Sequence, residues 1–144
     1  MTIATVLRAK GRHVETTQPN TPILEVAEQM RVHGIGAVVV SADGQHIDGI
    51  ISERDIVLGL AHDGIKFLRK TTDQVMTRSV LTCSPSDKIV AVMAVMTRRR
   101  VRHLPVVEDD RICGIISIGD VLKNRLEELE LETNVLRDVY LASH

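Results

Sequence analysis

Residues 49–56 read Gly-Ile-Ile-Ser-Glu-Arg-Asp-Ile, and residues 114–121 read Gly-Ile-Ile-Ser-Ile-Gly-Asp-Val. Gly, Ile, Ile, Ser and Asp recur in register, 65 residues apart, which marks an internal duplication. Within each copy, Gly followed by two Ile reads as a strand entered from a tight turn. The Ser falls where the strand ends, at a helix N-cap, and the Asp three residues on falls in the first helical turn. Ser52 with Asp55, and Ser117 with Asp120, therefore project from twin strand-to-helix corners.

Working outward from the first corner, Val14 to Thr17 reads as a short strand closed by Pro19. Thr21-Pro22 opens a helix with a capping hydroxyl and Pro at the first helical position. Ile23, Val26, Ala27 and Met30 share one helical face. Gly34 and Gly36 end that helix before a buried strand, Ile35 to Val40, and Asp43-Gly44 turns the chain into the Gly49 strand. A helix from about Glu53 to Ala61 completes the unit. The second copy repeats this: Val80 to Cys83 matches Val14 to Thr17, and Ile89, Val92, Met93 and Met96 repeat the helix face. Each unit reads strand–helix–strand–strand–helix. The expected division is residues 5–62 for the first repeat, 63–74 for a packed linker, 75–125 for the second repeat and 126–144 for a helical tail. From about Asp120 to Tyr140, running into that tail, Leu122, Leu126, Leu129, Thr133, Leu136 and Tyr140 are spaced as a heptad seam. Packing on its own domain and pairing with another chain are both open to it.

Composition narrows the partners. Phe67 and Tyr140 are the only aromatic residues, so the core is aliphatic and the stacking platforms of single-strand nucleic-acid binders are missing. A net charge of −1 leaves no phosphate-backbone footprint, so no nucleic-acid partner is expected. Cys83 and Cys113 have no paired spacing and read as reduced thiols, with no disulfide frame and no metal site. No apolar run approaches a membrane span or a signal core, and a cytoplasmic protein away from membranes is expected.

The two corners, with the lead-ins AVVVSADGQHIDGIIS and LPVVEDDRICGIIS, resemble the cystathionine-β-synthase-type (CBS) domain, present as a tandem pair over about residues 5 to 125. The chain is most similar to small stand-alone bacterial proteins of one such pair, a Bateman module, plus a C-terminal helix. The resemblance implies an α+β fold in which two β-α-β-β-α repeats pack through small sheets about a pseudo-twofold axis. It also implies two clefts for adenosine-containing ligands, frequent homodimerisation into a flat disc, and regulation of a separate protein rather than catalysis.

An adenosine ligand presents a base, a cis-diol and, in nucleotides, phosphates. A short carboxylate fixed at a helix start suits the diol, which places Asp55 and Asp120 there. Helix N-termini favour anions. Plain N-capping is the bland reading of Ser52 and Ser117, and the two duties are compatible. The resemblance puts base contacts on strand backbones near Thr16, Val38, Thr82, Leu104 and Pro105. Arg54 gives the first corner a cation where the second has Gly119. Arg102 and His103 align with uncharged Gly36 and Ala37 and are candidates to reach phosphate across the repeat junction. Arg98, Arg99 and Arg100 read as surface cations at a helix C-terminus. His13, His33, His46, His62 and His144 are scattered, and a redox role for Cys83 is disfavoured.

Three classes follow. An energy-sensing module binding AMP or ATP, with NAD third, is preferred to a sensor of S-adenosylmethionine because of Arg54, Arg102 and His103. No obligatory cofactor and no catalytic residue are expected. A protein-interaction scaffold with vestigial clefts is the alternative. An enzyme is the weakest reading, since no nucleotide-phosphate loop, nucleophile set or metal-ligand spacing is present.

Overall fold

The computed structural model describes residues 1–143; His144 lies outside them. In chain order the elements are α1 (Ile3–Lys10), β1 (Thr16–Thr17), α2 (Ile23–His33), β2 (Ala37–Val40), β3 (Gly49–Ser52) and α3 (Glu53–Asp63). A 3-10 turn (Gly64–Arg69) and α4 (Thr72–Val75) connect to α5 (Ile89–Arg99), β4 (His103–Glu108), β5 (Arg111–Ser117) and α6 (Ile118–Ala142). The fold is α+β, with two repeats and a long C-terminal helix.

In the first repeat β1 runs parallel to β2, and β2 pairs antiparallel with β3 in the order β1-β2-β3. In the second, β4 and β5 form an antiparallel pair joined at Asp109 and Asp110, both left-handed at φ 52° and 62°. Such a pair of residues builds the two-residue hairpin turn whose twist suits its strands. The strand expected at Val80 to Cys83 shrinks to one parallel bridge, Cys83 to Val106, held by Cys83 N–H on the Pro105 carbonyl (3.1 Å) and Val107 N–H on the Cys83 carbonyl (2.8 Å).

The cores do not follow sequence order. Ile23, Val26, Met30, Val38, Val40 and Ile51 of the first repeat are joined by Phe67 and Met76, which come after it. Ile89, Val92, Met96, Leu104, Val106, Ile116 and Val121 of the second are joined by Ile3, Val6 and Leu7, from the start of the chain. Each core is thus closed by an arm: residues 64–76 for the first repeat, residues 1–10 for the second. The arms also complete the main helices. Thr21 and Pro22 place no side-chain hydrogen bond at the start of α2. Ile23 N–H instead donates to the Lys70 carbonyl (2.9 Å), and Ile89 N–H at the start of α5 donates to the Met1 carbonyl (3.1 Å). A free helix-start donor is satisfied as well by a docked backbone carbonyl as by a hydroxyl, and here the arms supply the carbonyls.

The repeated glycine has a different reason from the one its turn-like setting predicts. Neither Gly49 nor Gly114 has positive φ. A Cβ on Gly49 would lie 2.5 Å from Met76 Sδ and 2.9 Å from the Thr77 carbonyl oxygen; on Gly114 it would lie 2.6 Å from Leu7 Cδ2. The glycines admit the arms. Gly49→Ala therefore costs about 1–3 kcal/mol, because backbone has to give way, while Gly114→Ala sits at the low end of that range because a leucine methyl can rotate aside. Urea unfolding of the two variants checks the order; a reversed order removes the explanation.

Candidate functional site

Both corners form the capping boxes that their spacing predicts. Ser52 N–H donates to Asp55 Oδ2 (2.8 Å) while Asp55 N–H donates to Ser52 Oγ (3.4 Å). Ser117 N–H and Asp120 Oδ2 (2.9 Å), with Asp120 N–H and Ser117 Oγ (3.1 Å), repeat it. Each aspartate is thereby fixed through Oδ2. Among the described residues Asp55 Oδ1 takes no hydrogen bond, so the carboxylate is held rigid with one acceptor left over.

A cavity of about 570 Å³ opens at the first corner. Its floor is apolar: Ala37 and Ile50 from the first repeat, Val80, Leu81 and Val101 from the second. Its polar wall is Ser52, Glu53, Arg54 and Asp55 at the start of α3, faced by Arg100, Arg102 and His103. Gly36, Thr77 and Ser79 complete the lining. Three arginines thus look onto the cavity against two carboxylates. The space suits a small ligand with a flat apolar part and an anionic part.

Of the residues singled out from the sequence, the fold brings Ser52, Arg54, Asp55, Arg102 and His103 together around this cavity. Thr16, Val38, Thr82, Leu104 and Pro105 do not line it. Val38 and Leu104 are buried in the two cores, the Thr16 carbonyl accepts from Gln29 Nε2 (3.0 Å), and the Pro105 carbonyl is taken by Cys83. Ser117 and Asp120 lie at the other corner. Burial is the main influence holding His103 below the ordinary imidazole range, and Lys10 and Arg102 add to it against Glu53 and Asp120. Burial and the neighbouring cations thus favour the neutral imidazole.

Two cations escaped the sequence reading. Arg100 lines the cavity with φ 55°, left-handed, at the cap of α5 where Gly34 (φ 62°) caps α2. A bulky residue in that conformation is disfavoured, and the alignment of Arg100 with Gly34 was the signal available. Lys10, at the end of α1, reaches the second corner: its Nζ lies 2.6 Å from Asp120 Oδ2. The second corner therefore does have a cation, brought from the far end of the chain. Burial raises the Cys83 thiol to about 12, which removes the thiolate needed for redox chemistry. Among the described residues no cluster of His, Cys, Asp and Glu is arranged to hold a metal, and no helix is long and apolar enough to cross a membrane.

Comparison with known proteins agrees with this fold. The family model described as CBS domain matches residues 11–62 and 73–127. The mitochondrial CBS domain-containing protein CBSX3 of Arabidopsis thaliana is 30% identical over 135 residues, covering 88% of this chain and 66% of that protein. The chain spans only 58% and 32% of the curated relatives from Methanopyrus kandleri and Thermofilum pendens. A crystal structure of a CBS-domain containing protein from Agrobacterium tumefaciens is 42% identical with a TM-score of 0.84, covering 87% of this chain and 99% of its own. The CBS domain pair of protein MJ0100, solved in complex with 5′-methylthioadenosine and S-adenosyl-L-methionine, has a TM-score of 0.77 at 25% identity, over 89% and 98% of the two chains.

Proposed function

The chain belongs to the CBS-domain family, and from that premise we propose that it is a regulatory module which binds an adenosine-containing ligand in the Asp55 cleft and signals to a separate protein. The observation that carries this is the meeting of a rigid carboxylate, an apolar floor and three arginines in one cavity. Asp55 Oδ1 is free to accept a ribose hydroxyl, and the floor accepts a base. The ligand of protein MJ0100 supports the adenosine half of the reading. The anionic half rests on Arg54, Arg100 and Arg102, which favour AMP or ATP over cationic S-adenosylmethionine, with NAD third.

Thermal unfolding in the presence of each ligand tests it. A ligand that binds only the folded chain at a hundred times its dissociation constant adds about 2.7 kcal/mol, a rise of about 5–10 °C in Tm. AMP or ATP should give that rise and S-adenosylmethionine a smaller one. A larger rise with S-adenosylmethionine overturns the choice of ligand. No rise with any adenosine compound favours the scaffold reading.

A homodimer belongs to the same proposal. Leu122, Leu126, Leu129, Leu136 and Tyr140 on α6 are all exposed, and Leu136 is 70% so. A second copy buries the same stripe twice about a twofold axis. Glu127, Glu130 and Glu132 on the same helix disfavour a parallel zipper, where like charges meet. Truncation after Glu128 keeps buried Asn124, with its hydrogen bond to the Asp120 carbonyl, and the Met1–Glu128 contact. It removes most of the exposed stripe. Light scattering should show a shift toward monomer with nucleotide binding retained; an undiminished dimer excludes the tail from the interface.

A further inference from the structure

The two arms run in step and then diverge. Thr2 bridges Lys88 as Thr71 bridges Pro22, and Ile3 N–H meets the Asp87 carbonyl as Thr72 N–H meets that of Thr21, both at 2.9 Å. Leu7 and Met76 then lie against Gly114 and Gly49. From there, Thr17 and Cys83 hold equivalent places beside β2 and β4, yet the first arm takes three residues more to arrive. The surplus is wound as an added turn: α1 has 8 residues and α4 has 4. The last residue of that turn is Lys10.

The added turn changes what meets the second corner. At the first, the N–H and carbonyl of Ile50 both pair with the Thr77 backbone at 3.0 Å. At the second, the carbonyl of the equivalent Ile115 accepts from Lys10 Nζ at 2.9 Å, and the same ammonium lies 2.6 Å from Asp120 Oδ2. The two side chains are 34% and 26% exposed, so water only partly screens them. Burial pushes the Asp120 carboxyl up, and Lys10 with the Ser117 backbone outweighs it, holding the group below the ordinary carboxylate range. The ammonium takes Oδ2, the oxygen that also accepts from the Ser117 N–H, so it lies on the carboxylate that a nucleoside diol would approach, and a charged donor holds a carboxylate more strongly than a neutral hydroxyl.

We infer that Lys10 is a tethered occupant of the second corner, so that the Asp55 cleft takes ligand directly and the Asp120 corner takes it only after Lys10 swings away. This rests on reading the clefts as adenosine sites. A ligand at Asp120 exchanges a charge-assisted hydrogen bond for neutral ones, which weakens it by about ten- to a hundredfold. Lys10 determines, on this reasoning, that one chain works with one ready site.

Calorimetry with AMP on the full chain tests it. The unaltered protein should bind one AMP per chain, and Lys10→Met should add a second site about ten- to a hundredfold tighter than before. Asp55→Asn should weaken the one site of the unaltered protein about ten- to a hundredfold but leave one tight site in the Lys10→Met background. Two equal sites unaffected by Lys10→Met overturn the inference and leave the nucleotide reading standing. No AMP binding to either protein retires the nucleotide reading and the ligand half of the inference with it. The contact is read separately by reductive methylation, in which Lys10 should react several-fold more slowly than Lys123, and Asp120→Asn should erase the difference. Equal rates in the unaltered protein overturn the inference without reference to any ligand.

Discussion

Removal of residues 1–10 unfolds the second repeat. Ile3, Val6 and Leu7 are 0%, 0% and 1% exposed, and all three belong to the core of residues more than seventy positions away. Leu7→Ala alone should cost about 2–5 kcal/mol, the range for emptying a packed aliphatic site. The full deletion adds Ile3, Val6 and the Met1 carbonyl that caps α5. Against a domain stability of about 5–15 kcal/mol, that loss is decisive. Urea unfolding followed by backbone amide spectra should show the signals of β4, β5 and α5 collapsed in the deleted chain. If the deletion changes stability by less than about 1 kcal/mol, the arm is an ornament and the description of the second core is mistaken.

The second large effect concerns the cleft. Asp55→Asn keeps one oxygen for the Ser52 N–H and so spares the cap of α3, while it removes the charge and the second acceptor. AMP or ATP should bind about ten- to a hundredfold more weakly. Asp120→Asn should have little effect on the same measurement, because Asp120 is engaged by Lys10. Calorimetry on both variants, each first shown to unfold near the parent midpoint, makes the comparison. Equal losses from the two would mean that the clefts are equivalent and that the arginines around Asp55 do not decide binding.

The asymmetry between the corners shows what the sequence could and could not reveal. Ser52 with Asp55, and Ser117 with Asp120, were legible because a capping box is local chemistry at fixed spacing. The helix faces of α2 and α5 were legible because burial imposes the helical period. Arg102 and His103 could be placed opposite the first corner by aligning the repeats, and the cavity contains both. The arms were not legible. Ile3, Val6 and Leu7 make a short apolar cluster that fits many surfaces, and nothing local says that theirs lies beyond residue 80. Lys10 was missed for the same reason, since its partner is 110 residues on. Arg100 was read as a surface cation at a helix end, yet its twin is Gly34, and that pairing pointed to an unusual backbone. The Thr21 cap failed because a backbone carbonyl of the arm competes for the same N–H.

The exchange of arms also sets an order of events during synthesis. Once residue 76 has left the ribosome, the first repeat has every side chain of its core, Phe67 and Met76 included, and can close. Helix α1, made before either repeat, has no complete surface to dock on until Leu104, Val106, Ile116 and Val121 exist. Residues 1–10, made before both repeats, are therefore placed only when the second repeat forms, and Ile3, Val6 and Leu7 wait without their core while the first repeat closes. Contacts that span so much of the chain close slowly. A nascent-chain binder would find in that stretch the part that most needs covering.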